Sequence, residues 1–230
     1  MRKPVVDYRK LRLSNITSPQ YRHLLLLAGW IVYFILYFLT ENLIPAEKCY
    51  PVWCKLDDII PFNEWFVIFY TGWYVLIVIS LGYFLLYSVE SFKGLQTFIM
   101  ITQGLAMVCY IAFPTRQDLR PESFPRENFL TWIMGLIYKA DTNTGVCPSL
   151  HVAYSVGIAS AWLKERSAAW YTKTIVAAFS LMVCLSVAFT KQHSVVDIFA
   201  AIPVCIVAEI FAFRPYYKQK KRFKNELSQG

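Results

Sequence analysis

The sequence predicts an all-α membrane protein with six transmembrane helices. Hydrophobic residues make up 57% and charged residues only 17% of the 230 positions, whereas charged residues are about 25% of a soluble domain. A helix needs roughly 20 apolar residues to cross a bilayer, and six apolar runs approach or reach that length. They cover residues 24–40, 65–89, 95–115, 149–163, 174–190 and 194–213.

Each run has features that support a span. The run at 24–40 follows more than twenty mostly polar residues and lacks a small-x-small site after it, so we expect a retained helix rather than a cleaved signal peptide. The run at 149–163 is short, and polar residues at the membrane edge are expected to complete it. The last run contains Asp197 and Glu209. We expect Glu209 to pair with Arg214 near the inner membrane surface.

A seventh apolar stretch lies before the fourth span and is too short to cross. Residues 129–138 are uncharged, between Arg126 and Lys139, and include Trp132 and Tyr138. Flanking cations and aromatic residues are typical of a helix that lies in the membrane interface. We expect a short interfacial helix within 127–141, either a roof or gate for a lipid substrate or a packing lid.

The distribution of positive charge predicts the orientation. If the N-terminus is cytoplasmic, 16 of the 23 Lys and Arg residues lie inside, as the positive-inside rule requires. The net charge of +8 then reflects topology and contact with anionic lipid headgroups rather than nucleic-acid binding. The predicted parts are a basic cytoplasmic N-terminus (1–23), a six-helix catalytic domain (24–213) and a basic cytoplasmic tail (214–230) of a multi-pass cell-membrane protein.

With this topology, three polar clusters meet on the outer side. They are FPTRQDLRPE at 113–122, PSLH at 148–151 and FTKQHSVVD at 189–197. His193 and Asp197 are spaced i, i+4 and share a helix face. A carboxylate that accepts the Nδ1 proton leaves Nε2 free as a nucleophile or base, and His151 offers a second imidazole that can act as an acid.

Four further residues are candidates for phosphate binding. Arg116, Arg120 and Lys191 supply positive charge, and Arg suits bidentate binding of phosphate oxygens. Ser149 and the first N–H groups of the fourth span form a helix N-terminus that favours anions. These groups together predict a phosphoryl-transfer site without a metal or cofactor, and the sequence contains no CxxC or HExxH pattern.

The three clusters resemble the motifs of the type-2 phosphatidic acid phosphatase superfamily, which includes vanadium haloperoxidases. Its members carry Lys-x6-Arg-Pro, Pro-Ser-Gly-His and Ser-Arg-x5-His-x3-Asp. The end of the first motif matches Arg120-Pro121. The second matches Pro148, Ser149 and His151, and the third matches Ser186, His193 and Asp197.

Three positions depart from these motifs. Phe113, Leu150 and Val187 stand where the family has Lys, Gly and Arg. Arg116 and Lys191 are the nearest replacements for the two missing cations. The combination of PSLH with TKQH is similar to the branch that contains inositol phosphorylceramide synthases.

The resemblance implies a helical core like that of the family and a metal-independent reaction on a lipid phosphate at the outer face. His193 would form a phosphohistidine, Asp197 would orient it, and His151 would protonate the leaving oxygen and then activate water or an alcohol. Arg120, Arg116, Lys191 and Ser149 would stabilise the phosphoryl oxygens.

Several alternatives stay open at this point. A phosphatase and a phosphotransferase of this kind use the same residues and differ only in the acceptor, so the sequence does not distinguish them. It also leaves the lipid substrate and the oligomeric state open. A lipid transporter and a catalytically inactive scaffold are the non-enzyme alternatives. Cys49 and Cys54 lie in the first outer loop and would bridge only in an oxidising compartment.

Overall fold

The computed structural model describes residues 3–219 and is mostly helical. Its helices are α1 (Ala28–Leu43), α2 (Lys55–Ile59), α3 (Val67–Tyr87), α4 (Val89–Ala112), α5 (Phe129–Ala140), α6 (Leu150–Lys164), α7 (Trp170–Phe189) and α8 (Val195–Ala212). Two parallel strands of two residues each, β1 (Tyr50–Pro51) and β2 (Thr115–Arg116), join the loop after α1 to the end of α4. No sequence pattern predicted these strands.

Five helical segments of the described residues are long and apolar enough to cross a membrane. They are Arg22–Leu43, Glu64–Tyr87, Val89–Ala112, Trp170–Phe189 and Val195–Ala212. The prediction of a helical membrane protein is therefore confirmed at this level. The expected fourth span, α6, has 15 residues, which is fewer than the roughly 17 to 25 that usually cross a bilayer. The short helix expected within 127–141 is present as α5.

Helix α6 is more enclosed than the longer helices around it. It packs against α3, α4, α7 and α8, and most of its side chains are buried. The α4–α6 contact is close because Gly157 faces the fully buried Phe98 ring, which a Cβ at Gly157 would overlap. By contrast, α1 packs mainly on α4 and exposes Ile31 and Phe38 outward, as a lipid-facing helix does.

Hydrogen bonds define two ends of the helix bundle. At one end, which we call the site end, the Asn63 N–H donates to the Phe189 carbonyl at 2.9 Å. This bond joins the start of the second candidate span to the end of α7. At the other, distal end, the Ser91 hydroxyl near the start of α4 donates to Glu165 after α6 at 2.6 Å. The Ser149 N–H at the start of α6 donates to the Asp197 carbonyl, which follows the end of α7, so α6 runs from the site end to the distal end.

Charged residues close the distal end of α6. Burial would raise the pKa of Glu165, but hydrogen bonds from serines, chiefly Ser167, outweigh that effect and lower it to about 2. Lys164 Nζ lies 2.6 Å from Glu209 Oε1. The expected pairing of Glu209 with Arg214 is therefore wrong: α8 is fastened to α6 by Lys164 instead. The part of the predicted basic tail from 220 to 230 lies outside the described residues.

Candidate functional site

The loop between α7 and α8 holds His193 against Asp197. His193 Nδ1 and Asp197 Oδ2 are 3.2 Å apart, with the carboxylate fully buried. The Ser194 N–H also donates to Asp197 Oδ2 at 3.1 Å, while Ser194 Oγ accepts from the Val196 N–H at 3.1 Å. This reciprocal cap fixes the start of α8. The contact assigns the imidazole proton to Nδ1, which leaves Nε2 as the basic ring nitrogen.

The start of α6 lies directly against the start of α8. The Ser149 N–H donates to the Asp197 carbonyl at 3.1 Å, and two residues later the ring centroid of His151 is 5.6 Å from that of His193. The three predicted catalytic side chains are therefore brought together from two helices, although 42 positions separate the two histidines.

His151 lies among aromatic rings on α3. Its ring stacks on Tyr70 at a centroid distance of 4.5 Å and meets Trp73 at 4.1 Å. Its Nε2 atom is buried and has no hydrogen-bond partner among the described residues. A buried polar atom without a partner is uncommon in a folded protein, which makes His151 a candidate for a role beyond packing.

Both histidines line one cavity of about 460 Å³, within the range of roughly 300 to 1,000 Å³ that is usual for small-molecule sites. Its polar wall is formed by Asp141, Thr142, Thr144, Gln192 and the two histidines. The remaining wall is largely aromatic and aliphatic. Phe34 of α1 and Val78 of α3 line the cavity and are also 58% and 70% exposed on the outer surface. Exposed apolar side chains of α1 and α3 therefore border the cavity.

Two of the predicted phosphate-binding cations point away from this cavity. Arg116 donates to the Ala46 and Cys49 carbonyls at 2.9 and 3.2 Å and pairs with Asp118 at 3.0 Å. Lys191 has a left-handed backbone with φ 54°. Its ammonium group donates to the carbonyls of Asp57, at 2.6 Å, and Ile60. Both side chains attach the connection between α1 and α3 to the bundle.

Arg120 lies closer to the cavity, on the far side of Gln192. Its Nη1 donates to the Tyr138 and Asp141 carbonyls, both at 3.0 Å, and its Nη2 donates to the Thr142 carbonyl at 2.8 Å. Its Nε donates to Gln192 Oε1 at 3.1 Å. Among the residues that the structure describes, no Lys or Arg forms part of the cavity wall.

Ser149, the fourth predicted phosphate ligand, acts as the N-cap of α6. Its Oγ accepts from the Val152 N–H at 3.5 Å, and the residue is fully buried. Ser149 therefore caps the start of α6 and does not form part of the cavity wall.

Sequence reasoning missed three polar residues around the histidines. Gln192 bridges Arg120 to the cavity, and Asp141 lies on the cavity wall. Burial raises the pKa of Asp141, and the positive charge of Arg120 partly opposes that effect. Asp57 of α2 accepts from Ser194 Oγ at 2.6 Å and from the Val195 N–H at 2.8 Å. The sequence signal for Gln192 was its position beside His193. Asp141 and Asp57 reach the site through long-range packing, which the sequence pattern does not reveal.

The cysteines near the site are thiols. Cys49 and Cys54 are both free, so the optional bridge between them is not formed. Burial and the nearby Asp197 carboxylate raise the pKa of Cys147 to about 12. Its thiol is therefore protonated at neutral pH, which disfavours a nucleophilic role.

The arrangement can bind and transfer a group by nucleophilic and acid–base chemistry. His193 supplies an oriented imidazole, and His151 supplies a second ring beside it. Within residues 3–219, no group of three or more His, Cys, Asp or Glu side chains has an arrangement that could hold a metal ion. In comparisons with known proteins, no family model, no curated protein and no solved structure matches this chain.

Proposed function

We propose that the chain is a membrane enzyme that cleaves a lipid phosphoester at the site end through a phosphohistidine on His193. The observation that carries the proposal is the meeting of the His193–Asp197 pair and His151 on the wall of one cavity. One imidazole oriented by a carboxylate and a second, independent imidazole are what two-step transfer of a phosphoryl group requires.

In the first step, Nε2 of His193 attacks phosphorus as the bond from phosphorus to the leaving oxygen breaks. Protonated His151 gives its proton to that oxygen, and Asp197 stabilises the charge on His193. In the second step, neutral His151 takes a proton from water or an alcohol whose oxygen attacks phosphorus, and the phosphorus–nitrogen bond breaks. Because Nε2 of His151 is covered in this structure, the aromatic rings around it must shift when substrate enters.

The apolar part of the cavity supports a lipid substrate. Exposed apolar side chains of α1 and α3 border the cavity, and entry between these helices would let the hydrocarbon tail of a lipid stay in the bilayer while its headgroup reaches the histidines. Thr142, Thr144 and Asp141 on the polar wall offer hydrogen-bonding partners for an alcohol acceptor. That observation favours transfer to an alcohol as the second candidate reaction.

The proposal includes six crossings with the site end outside the cell. Helix α6 runs between the same two ends as the long helices, and polar residues at its ends would complete its crossing. The excess of Lys and Arg at the distal side supports a cytoplasmic location for that side and for both termini. The catalytic unit would then be 24–213, between two basic cytoplasmic segments.

The test uses purified protein with a panel of labelled lipid phosphates and phosphodiesters, with and without inositol or other alcohols. Free phosphate identifies hydrolysis, and labelled headgroup on the alcohol identifies transfer. We expect activity to persist in EDTA and to be inhibited by vanadate, which mimics the phosphoryl transition state next to His193. Loss of activity in EDTA that Mg²⁺ restores would contradict the proposed mechanism.

A further inference from the structure

The polar wall of the cavity contains one side chain that links Arg120 to Tyr70 and Asp141. Gln192 is buried, with 3% of its surface exposed. Its Nε2 donates to the Tyr70 hydroxyl at 3.2 Å and to Asp141 Oδ2 at 3.4 Å. Its Oε1 accepts from Arg120 Nε at 3.1 Å. Tyr70 in turn stacks on His151, so Gln192 touches the surroundings of both histidines.

Arg120 presents its phosphate-binding edge to Gln192. A guanidinium group has five N–H donors, and four of them bond to described residues. The fifth is on Nη2, which lies on the same edge of the group as Nε. That edge is the one used for side-on, two-bond contacts with carboxylates and phosphates. The backbone carbonyls of the 138–142 segment hold the rest of the group in place.

We infer that Gln192 is a positioning residue that occupies the anion-binding edge of Arg120 until a phosphoryl group displaces it. The Gln192 amide oxygen takes the place of a phosphate oxygen at Arg120 Nε while the cavity holds no anion. Rotation of this side chain would open a path between Arg120 and an anion bound beside His193. This inference rests on the proposed function and explains how a cavity without Lys or Arg on its wall could still bind phosphate.

Opposite changes at Gln192 should therefore have opposite effects on anion affinity. Gln192→Glu places a carboxylate against Arg120, which binds it more strongly than an amide does and repels the incoming anion. We expect vanadate and orthophosphate to bind at least about tenfold more weakly, because contacts between charged groups are roughly twice as strong as neutral ones. Gln192→Met removes the competing oxygen at similar volume, and we expect orthophosphate to bind several-fold more tightly.

The experiment measures inhibition of nitrophenyl phosphate hydrolysis by vanadate and orthophosphate in the full-length protein, with KM and kcat for each variant. Thermal stabilisation by vanadate gives a second reading that does not depend on turnover. Gln117→Glu is the matched control, because Gln117 is also buried but bonds to the Leu119 N–H rather than to Arg120. Each substitution at Gln192 is repeated with Arg120→Lys, where the opposite effects should disappear.

The outcomes separate the inference from the proposed function. If the wild-type protein binds neither vanadate nor orthophosphate and hydrolyses no phosphoester, the proposed function is wrong and the inference falls with it. If the wild-type protein is active but both Gln192 variants weaken anion binding alike, Gln192 only supports the site and the inference is overturned. Opposite shifts in anion affinity in the two Gln192 variants, lost when Arg120→Lys is added, support the inference.

Discussion

At the scale of single residues, the two histidines carry different parts of the proposed reaction. His193 has a carboxylate partner at 3.2 Å, whereas the His151 ring packs against Tyr70, Trp73 and His193. A nucleophile benefits from a partner that stabilises its positive charge. A group that alternates between acid and base needs to gain and lose a proton readily, and a neighbouring carboxylate would hold that proton.

Substitution of each histidine should separate these roles. His193→Ala should abolish activity on both an alkyl-lipid phosphate and a nitrophenyl phosphate, because no phosphohistidine can form. His151→Ala should lose roughly 10² to 10⁴-fold on the lipid phosphate but much less on the activated ester, whose leaving group needs no proton. Rapid-quench labelling provides the check: His151→Ala should accumulate the acid-labile phosphoenzyme. Label trapped by His193→Ala and not by His151→Ala would mean that the roles are reversed.

The motif residues differ in how far their positions could be predicted. The helix spacing of His193 and Asp197 and the capping sequence at Ser149 are local, so their mutual contacts follow from the sequence. The orientation of Lys191 is not local, because its ammonium group bonds to carbonyls more than 130 positions away. Arg116 is likewise oriented by carbonyls of the loop after α1. A Lys or Arg in a motif predicts that a positive charge is present, but tertiary packing decides which acceptor the side chain bonds to.

At the scale of secondary-structure elements, the short helix α2 holds the start of α8. Asp57 accepts from Ser194 Oγ and the Val195 N–H, while its own carbonyl accepts from Lys191. Asp57 therefore contacts residues on both sides of His193 in the chain. No sequence pattern predicted this element, because α2 has only five residues and its role depends on contact with the α7–α8 loop.

Removing this contact should affect catalysis without touching the cavity. Asp57→Ala leaves two buried donors at the start of α8 unpaired, which should destabilise the protein by about 1 to 3 kcal/mol. Because a shift of about 1 Å in a catalytic group can reduce the rate roughly 100-fold, kcat on nitrophenyl phosphate should fall by one to two orders of magnitude. Asp58→Ala is the control, since Asp58 bonds only to the exposed Trp53 indole among the described residues. Equal thermal stability and kcat in the two variants would rule out this role for α2.

At the scale of the whole molecule, the proposed crossing of α6 has to be reconciled with its length. A helix of 15 residues spans about 22 Å at 1.5 Å per residue, less than the roughly 30 Å of the hydrocarbon core. Helices α3, α4, α7 and α8 pack around α6, so protein rather than lipid would surround it if it crosses as proposed. A buried helix does not need to match the bilayer thickness, because neighbouring helices satisfy the polar groups at its ends. Hydropathy could therefore identify the five lipid-exposed segments more readily than this one.

The location of the two ends can be measured with single cysteines in a background that lacks the six native ones. Glu122→Cys reports on the site end, and Arg166→Cys, in the α6–α7 connection, reports on the distal end; both positions are exposed. If α6 crosses and the site end is outside, an impermeant maleimide should label Glu122→Cys in intact cells and Arg166→Cys only after permeabilisation. Thr17→Cys should behave like Arg166→Cys, because an even number of crossings separates the two positions. Labelling of Arg166→Cys and Glu122→Cys alike in intact cells would mean that α6 does not cross, and labelling of Arg166→Cys alone would mean that the orientation is inverted.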